Sequence, residues 1–264
     1  MEPMKQSVSF DRAADIYDAT RALSEDAQRG IADGIIAEIE RVGADRVLEV
    51  GVGTGRIARP LAEHGVRVLG VDIAPKMLQR LVAQLDERHL APDLMLGDAT
   101  RLPVADGAAG VVLSFHVLHL IPDWELACDE VRRVLAPGGT FVHYQRRDEY
   151  HKWIESGEKW VELLKARGFV RRQRPSLDEI GAKLEALGGS LRTVDVGAEE
   201  ERVTPSEMLA DTKERTHSWT WEIPDEVFWD CMAEYEEWVG SFYDDVDEAR
   251  VDSIVHELRF WSFD

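Results

Sequence analysis

Cysteine is nearly absent: Cys128 and Cys231 are the two in 264 residues. That excludes a disulfide-stapled scaffold and a four-cysteine zinc site. Long apolar runs are missing as well, and none reaches the roughly 18–20 residues of a membrane span. Positive charge is scarce, with 31 Lys+Arg against 51 Asp+Glu and a net charge of −20. Such a surface repels phosphate backbones and argues against nucleic acid or an anionic membrane as partner. The opening residues, Met1-Glu2-Pro3-Met4-Lys5, lack the charged-then-apolar pattern of a signal peptide, so the expected location is cytoplasmic. There is no internal repeat and no low-complexity tract.

What is present is an ordinary globular composition, 44% hydrophobic and 31% charged. The length suits one large α/β domain or one domain carrying an insertion. Short apolar runs alternate with helical patterns through the first half, the signature of a parallel sheet. Strands are expected at Arg46–Val50, Arg67–Val71, Leu94–Leu96, Gly110–Phe115 and Thr140–Gln145. Helices are expected near Ser24–Val42, Ile57–His64, Pro75–Arg88 and Asp123–Leu135. Pro75 fits a first helical turn, where its missing N–H costs nothing. Pro137-Gly138-Gly139 ends a helix and turns the chain into the next strand.

Beyond Tyr144 the pattern changes. His151–Arg167 and Ser176–Leu187 read as helices, and Leu191–Val203 and Arg250–Phe263 as strands with a helical insertion between them. In that insertion Asp225–Phe242 repeats apolar residues at helical spacing. From Glu222 to Asp252 there are 12 acidic residues and one basic residue, Arg250. Of 21 aromatic residues, 14 lie in the last 114 positions, seven tryptophans among them. The expected division is therefore a core over 1–148 and a second half over 149–264, with lid or substrate insertions at about 149–175 and 204–249. Trp153, Trp160, Trp219, Trp221 and Trp238 either line such a lid or fill the insertion's own core.

The chemistry concentrates at three strand ends. Val47-Leu48-Glu49-Val50-Gly51-Val52-Gly53-Thr54-Gly55 runs a strand into a glycine turn and then a helix. Glycine tolerates positive φ and lets a ligand approach the backbone; the amides of the following helix face that ligand. A dinucleotide fingerprint needs a third glycine at position 56, where this chain has Arg56. A Walker A loop is excluded because no Gly-Lys-Ser/Thr follows. Asp72 stands 21 residues after Gly51 at the end of the next strand, where an acid accepts from both ribose hydroxyls of a nucleoside. Gly97-Asp98-Ala99 ends the strand after that, and its carboxylate suits an exocyclic amine such as that of adenine.

At these residues the sequence resembles the class I S-adenosylmethionine-dependent methyltransferases. The match lies in Glu49-x-Gly51-x-Gly53-x-Gly55, Asp72, Gly97-Asp98-Ala99 with Leu102-Pro103, and Leu135-Ala136-Pro137-Gly138-Gly139, and covers roughly residues 10–146. The resemblance implies an α/β, Rossmann-like, seven-stranded mixed sheet with its last strand antiparallel, flanked by helices. It implies S-adenosylmethionine as cofactor, with S-adenosylhomocysteine as product. Glu49 would belong to the cofactor site, and Gly51 and Gly53 would lie against the methionine part. Asp72 would hold the ribose, Ile73 pack on adenine, Asp98 take the adenine amine and Ala99 offer its N–H. Ser114 and Phe115 would lie near the sulfonium. Tyr17-Asp18-Ala19-Thr20-Arg21 looks like the family's cap segment, with Tyr17 and Arg21 closing over the methionine carboxylate.

His116 and His119 stand at the mouth of this site as candidate general bases for the acceptor. No third ligand accompanies them, so no metal is expected. Of His143 and Tyr144, alternation lets one face the pocket. Cys128 follows helical spacing and belongs to the core. The expected function is methyl transfer to a small acceptor, aromatic or apolar, by a monomer or homodimer. The alternatives are an RNA or protein methyltransferase, for which Lys165, Arg167, Arg171, Arg172 and Arg174 are the support, and a non-catalytic protein that binds the cofactor.

Overall fold

The computed structural model describes residues 9–11, 23–86, 93–148 and 153–264. Tyr17 and Arg21 therefore lie outside the described residues. Seven strands form one mixed sheet in the order β3-β2-β1-β4-β5-β7-β6. They are β1 (Val47–Val50), β2 (Val68–Asp72), β3 (Asp93–Leu96), β4 (Ala109–Phe115), β5 (Leu135–Asp148), β6 (Gly189–Val203) and β7 (Arg250–Phe263). The β3-β2-β1-β4-β5 stretch pairs parallel throughout. The register sets Val50 beside Val71 and Ser114, and Asp72 beside Leu96. The carboxyl ends of four strands thus open along one edge, where ligands bind in such sheets.

Helices cover both faces. On one side lie α1 (Glu25–Val42), α2 (Ala58–Glu63) and α3 (Pro75–Asp86). Their Ile31, Ile35, Leu61 and Leu81 pack with Val111, Leu113, Val142 and Leu258 of the sheet in one buried cluster. On the other side lie α4 (Trp124–Val134) and α6 (Leu177–Ala186), whose Cys128, Val131 and Leu184 pack on Leu48, Val112, Phe141 and Trp261. Successive residues of β4 thus serve opposite faces, as the period of a strand requires.

Local signals account for several element ends. Ser24 caps α1 by accepting from the Ala27 N–H at 3.2 Å, and Gly43 closes that helix in the left-handed conformation. Ser176 with Glu179, and Thr204 with Glu207, form capping boxes that start α6 and α7 (Pro205–Lys213). β5 begins earlier than its apolar run. Leu135 already pairs with Ala109, and the register slips before Val111 meets Thr140, so Pro137-Gly138-Gly139 sits within the strand as an irregularity instead of preceding it.

The chain forms two compact units. The first comprises 1–146, 174–197 and 256–264, and the second 147–173 and 198–255, against the insertion limits of 149–175 and 204–249 expected above. The second unit holds α5 (Ile154–Ala166), α7 and α8 (Asp225–Phe242). Its core is aromatic: the Trp160 ring meets Trp219 at 5.7 Å, Phe228 at 5.6 Å and Tyr235 at 5.0 Å. Trp153, Trp219 and Trp238 pack on the same cluster, so these tryptophans fill the unit's own core. Trp221 ties a turn of the same unit, donating from Nε1 to the Arg215 carbonyl at 2.7 Å. Among the described residues, no helix is long and apolar enough to cross a membrane.

Candidate active site

The glycine turn extends the β1–β2 pairing past the strand end. The amides of Gly51 and Val52 both donate to the Val71 carbonyl, at 2.7 and 3.1 Å. Gly51 has φ 73° and Gly53 φ 55°, left-handed values that disfavour any side chain. A Cβ at Gly51 would also sit 2.3 Å from Cγ2 of Val117, so the loop after β4 packs directly on the turn.

Asp72 ties this turn to the next strand. Its Oδ2 accepts from the Gly53 N–H at 2.8 Å and its Oδ1 from the Ala74 N–H at 2.8 Å. Burial raises the pKa of this carboxyl, against the lowering effect of those two N–H groups and that of Ile73. Asp98 is held in turn by Thr100, whose N–H and hydroxyl both donate to Oδ1 at 2.9 Å. The segment beyond it is gripped by α4. Glu130 accepts from the Leu102 N–H at 2.7 Å, while Arg133 donates to the carbonyls of Leu102 and Val104 at 3.1 and 2.8 Å.

These strand ends surround an open cavity. Gly51, Gly53, Asp72 and Ile73 line it. Asp98, Ala99, Phe115 and His116 line it too. Residues singled out from the sequence at four separate strand ends are thereby brought together. Glu49 and Ser114 do not line the cavity. Both are fully buried, and among the described residues neither Glu49 Oε2 nor Ser114 Oγ finds a hydrogen-bond partner. Burial pushes the Glu49 carboxyl up to about 8, with the Arg56 charge opposing and the Asp72 charge assisting. His119 also stands off the cavity, its ring 6.5 Å from that of His116. Tyr144 packs toward the site, stacked on Phe115 at 5.0 Å, whereas His143 stacks on Phe141 at 6.1 Å. Burial holds the His143 imidazole down at about 4.

Sequence reasoning missed Phe10 and Met77, which line the cavity and pack together with Ala74. Met77 begins the buried stripe Met77, Leu81, Leu85 on α3, a helical-spacing signal that could have found it. Phe10 carries no such local signal. It is held by tertiary contact, with the Lys76 N–H donating to Asp11 Oδ1 at 2.8 Å across 65 positions.

The donor set of the cavity fits a nucleoside with a positively charged tail. Two carboxylates face it, apolar walls come from Val50, Val71, Ile73 and Met77, and among the described residues no Lys or Arg lines it. Residues 48–143 match the model of the methyltransferase domain family. The chain is 35% identical over 140 residues to a malonyl-[acyl-carrier protein] O-methyltransferase of Serratia marcescens, covering 52% of each chain. Against the curated relatives it matches, the chain spans between about a quarter and a half of their length. Among solved structures it resembles the [4+2]-cyclase SpnF, with a TM-score of 0.56 and 16% identity over 100% of this chain and 99% of that one. It also resembles phosphoethanolamine N-methyltransferase 2 of Haemonchus contortus bound to S-adenosylhomocysteine, with a TM-score of 0.50 and 18% identity over 97% of this chain and 60% of that one. Over residues 48–143 the sequence match and the glycine turn mark a methyltransferase domain, and the sheet has the fold of these neighbours. The matched residues lie on the first of the chain's two units.

Proposed function

We propose that the protein transfers a methyl group from S-adenosylmethionine to a small-molecule acceptor by in-line displacement. The observation that carries this reading is the convergence of the Gly51–Gly53 turn, Asp72 and Asp98 on one cavity. The cofactor supplies, when bound, an electrophilic methyl group on a sulfonium, and the protein supplies binding and alignment. Asp72 would accept from the ribose hydroxyls, its carboxylate already oriented by Gly53 and Ala74. Asp98 would accept from the adenine amine while Ala99 offers its N–H, with Ile73, Phe10 and Met77 enclosing the base. Glu49 would belong to the cofactor site from beneath the turn, behind the glycines that meet the methionine part. Ser114 would support Phe115 from below. Tyr17 and Arg21 keep their proposed place over the methionine carboxylate. Holding a nucleophile in line supplies roughly 7–11 kcal/mol of the barrier in well-aligned reactions. His116, on the cavity wall, would take the acceptor's proton, with His119 as the other candidate base.

A nucleic-acid acceptor has less in its favour. Arg167 of the basic cluster pairs with Glu234 at 2.6 Å, and Arg172 approaches Glu222 at 3.9 Å. Cofactor binding without methyl transfer is the competing reading. Fold does not establish reaction, and a [4+2]-cyclase shares this one. Incubation with methyl-labelled S-adenosylmethionine and a panel of phenols, amines and carboxylic acids tests the proposal. Label is expected in a small acceptor. Label in added RNA or protein alone, or none with any acceptor despite tight cofactor binding, would overturn it.

A further inference from the structure

His116 has φ 57°, a left-handed value that residues with a side chain rarely adopt. It stands where β4 leaves the sheet and opens onto the cavity. Such strain persists where the surroundings determine the conformation, and it gathers at functional sites. Here the surroundings are specific. The Tyr144 ring meets the His116 ring edge to face, with centroids 4.9 Å apart and planes at 72°. Tyr144 is itself fixed twice: its ring stacks on Phe115, and its hydroxyl lies 2.7 Å from Nδ1 of His256 on β7. Tyr144 and His256 are both buried. An apolar pair of the same shape would join β5 and β7 as well as this polar one does. What a hydrogen bond adds is orientation, since it sets the depth and tilt of the tyrosine ring against which His116 rests.

We infer that the Tyr144–His256 pair positions His116, holding its imidazole toward the cavity to receive the acceptor's proton; this rests on the methyl-transfer reading above. The groups around His116 favour the state that role needs. Burial, the charge of Arg56, His119, the charge of Arg146 and His143 together hold its imidazole well below the ordinary histidine range. At neutral pH the ring is therefore uncharged and able to accept the proton that the acceptor's nucleophilic atom releases.

The test reads His116 directly, without an acceptor. Full-length protein is labelled with carbon-13 at the histidine rings, and the His116 signal is assigned by its loss in His116→Gln. Tyr144→Phe keeps both ring contacts and removes only the hydroxyl. A tyrosine ring no longer held in place lets the imidazole tilt toward water and regain hydration of its charged form. The expected result is a His116 titration midpoint at least about half a pH unit higher than in the wild type. His256→Leu should reproduce that shift, and His256→Gln, which restores a hydrogen-bonding side chain, should reverse most of it. An unchanged His116 titration in both Tyr144→Phe and His256→Leu, with only a lower melting temperature, would make the pair structural and overturn the inference. Failure of the methyl-transfer reading shows separately, as wild-type protein that does not bind S-adenosylhomocysteine or transfer label.

Discussion

Glu49 is fully buried on the strand that leads into the glycine turn, and its pKa of about 8 has a consequence for stability. The unfolded chain loses this proton near the ordinary value of 4.5, while the folded chain keeps it until about 8. Between those values the unfolded state binds fewer protons, so stability falls as pH rises through the window. Glu49→Gln removes the ionisable group and keeps the shape. It is expected to be more stable than the wild type at about pH 8 by on the order of 1–3 kcal/mol, with little gain near pH 4.5. Urea unfolding at the two pH values checks this, and equal effects at both would contradict it. At this scale the sequence spoke clearly where a residue's role follows from its distance to a glycine turn, as for Asp72 and Asp98. It was silent on Phe10, whose place depends on Asp11 meeting the start of α3 from 65 positions away. It also could not separate Glu49, under the turn, from Asp72, on the cavity wall.

Among the elements, α4 does more than cover the sheet. Arg133 spans Glu130, Asp106 and two backbone carbonyls of the segment that follows Asp98. Hydrogen bonds to a charged group contribute roughly 1.5–3 kcal/mol each. Arg133→Ala is expected to weaken S-adenosylhomocysteine binding by about 3–10-fold and to lower the melting temperature, read by calorimetric titration and thermal unfolding. Unchanged affinity would separate the clamp from the site. Two helices were legible at their ends because these carry local signals: Ser24 and Gly43 for α1, and Ser176 with Glu179 for α6. β5 was legible only in its apolar half. Its start at Leu135 is decided by pairing with Ala109, a contact that no local pattern encodes.

For the whole molecule, the two units differ in what sustains them. The first is a layered sheet of mainly aliphatic residues, and the second gathers its aromatics around Trp160. Trp160→Ala is expected to destabilise the second unit by about 3–5 kcal/mol, the usual range for a large buried aromatic. Because the proposed cofactor cavity is lined from the first unit, S-adenosylhomocysteine affinity should stay within about twofold. Tryptophan fluorescence during urea unfolding and a binding titration read the two effects, and a loss of affinity as large as the loss of stability would contradict the separation. The aromatic excess of the second half was plain in the sequence. Its use as core was not, because core and lid both call for buried rings at helical spacing.

The measurement that bears most directly on the central claim is a calorimetric titration of the full-length protein with S-adenosylhomocysteine, with NADH as control and Asp72→Asn as the matched variant. The account predicts micromolar binding of S-adenosylhomocysteine, no binding of NADH, and binding at least about tenfold weaker by Asp72→Asn. Equal binding by the variant, or binding of NADH alone, would contradict the assignment of the cavity.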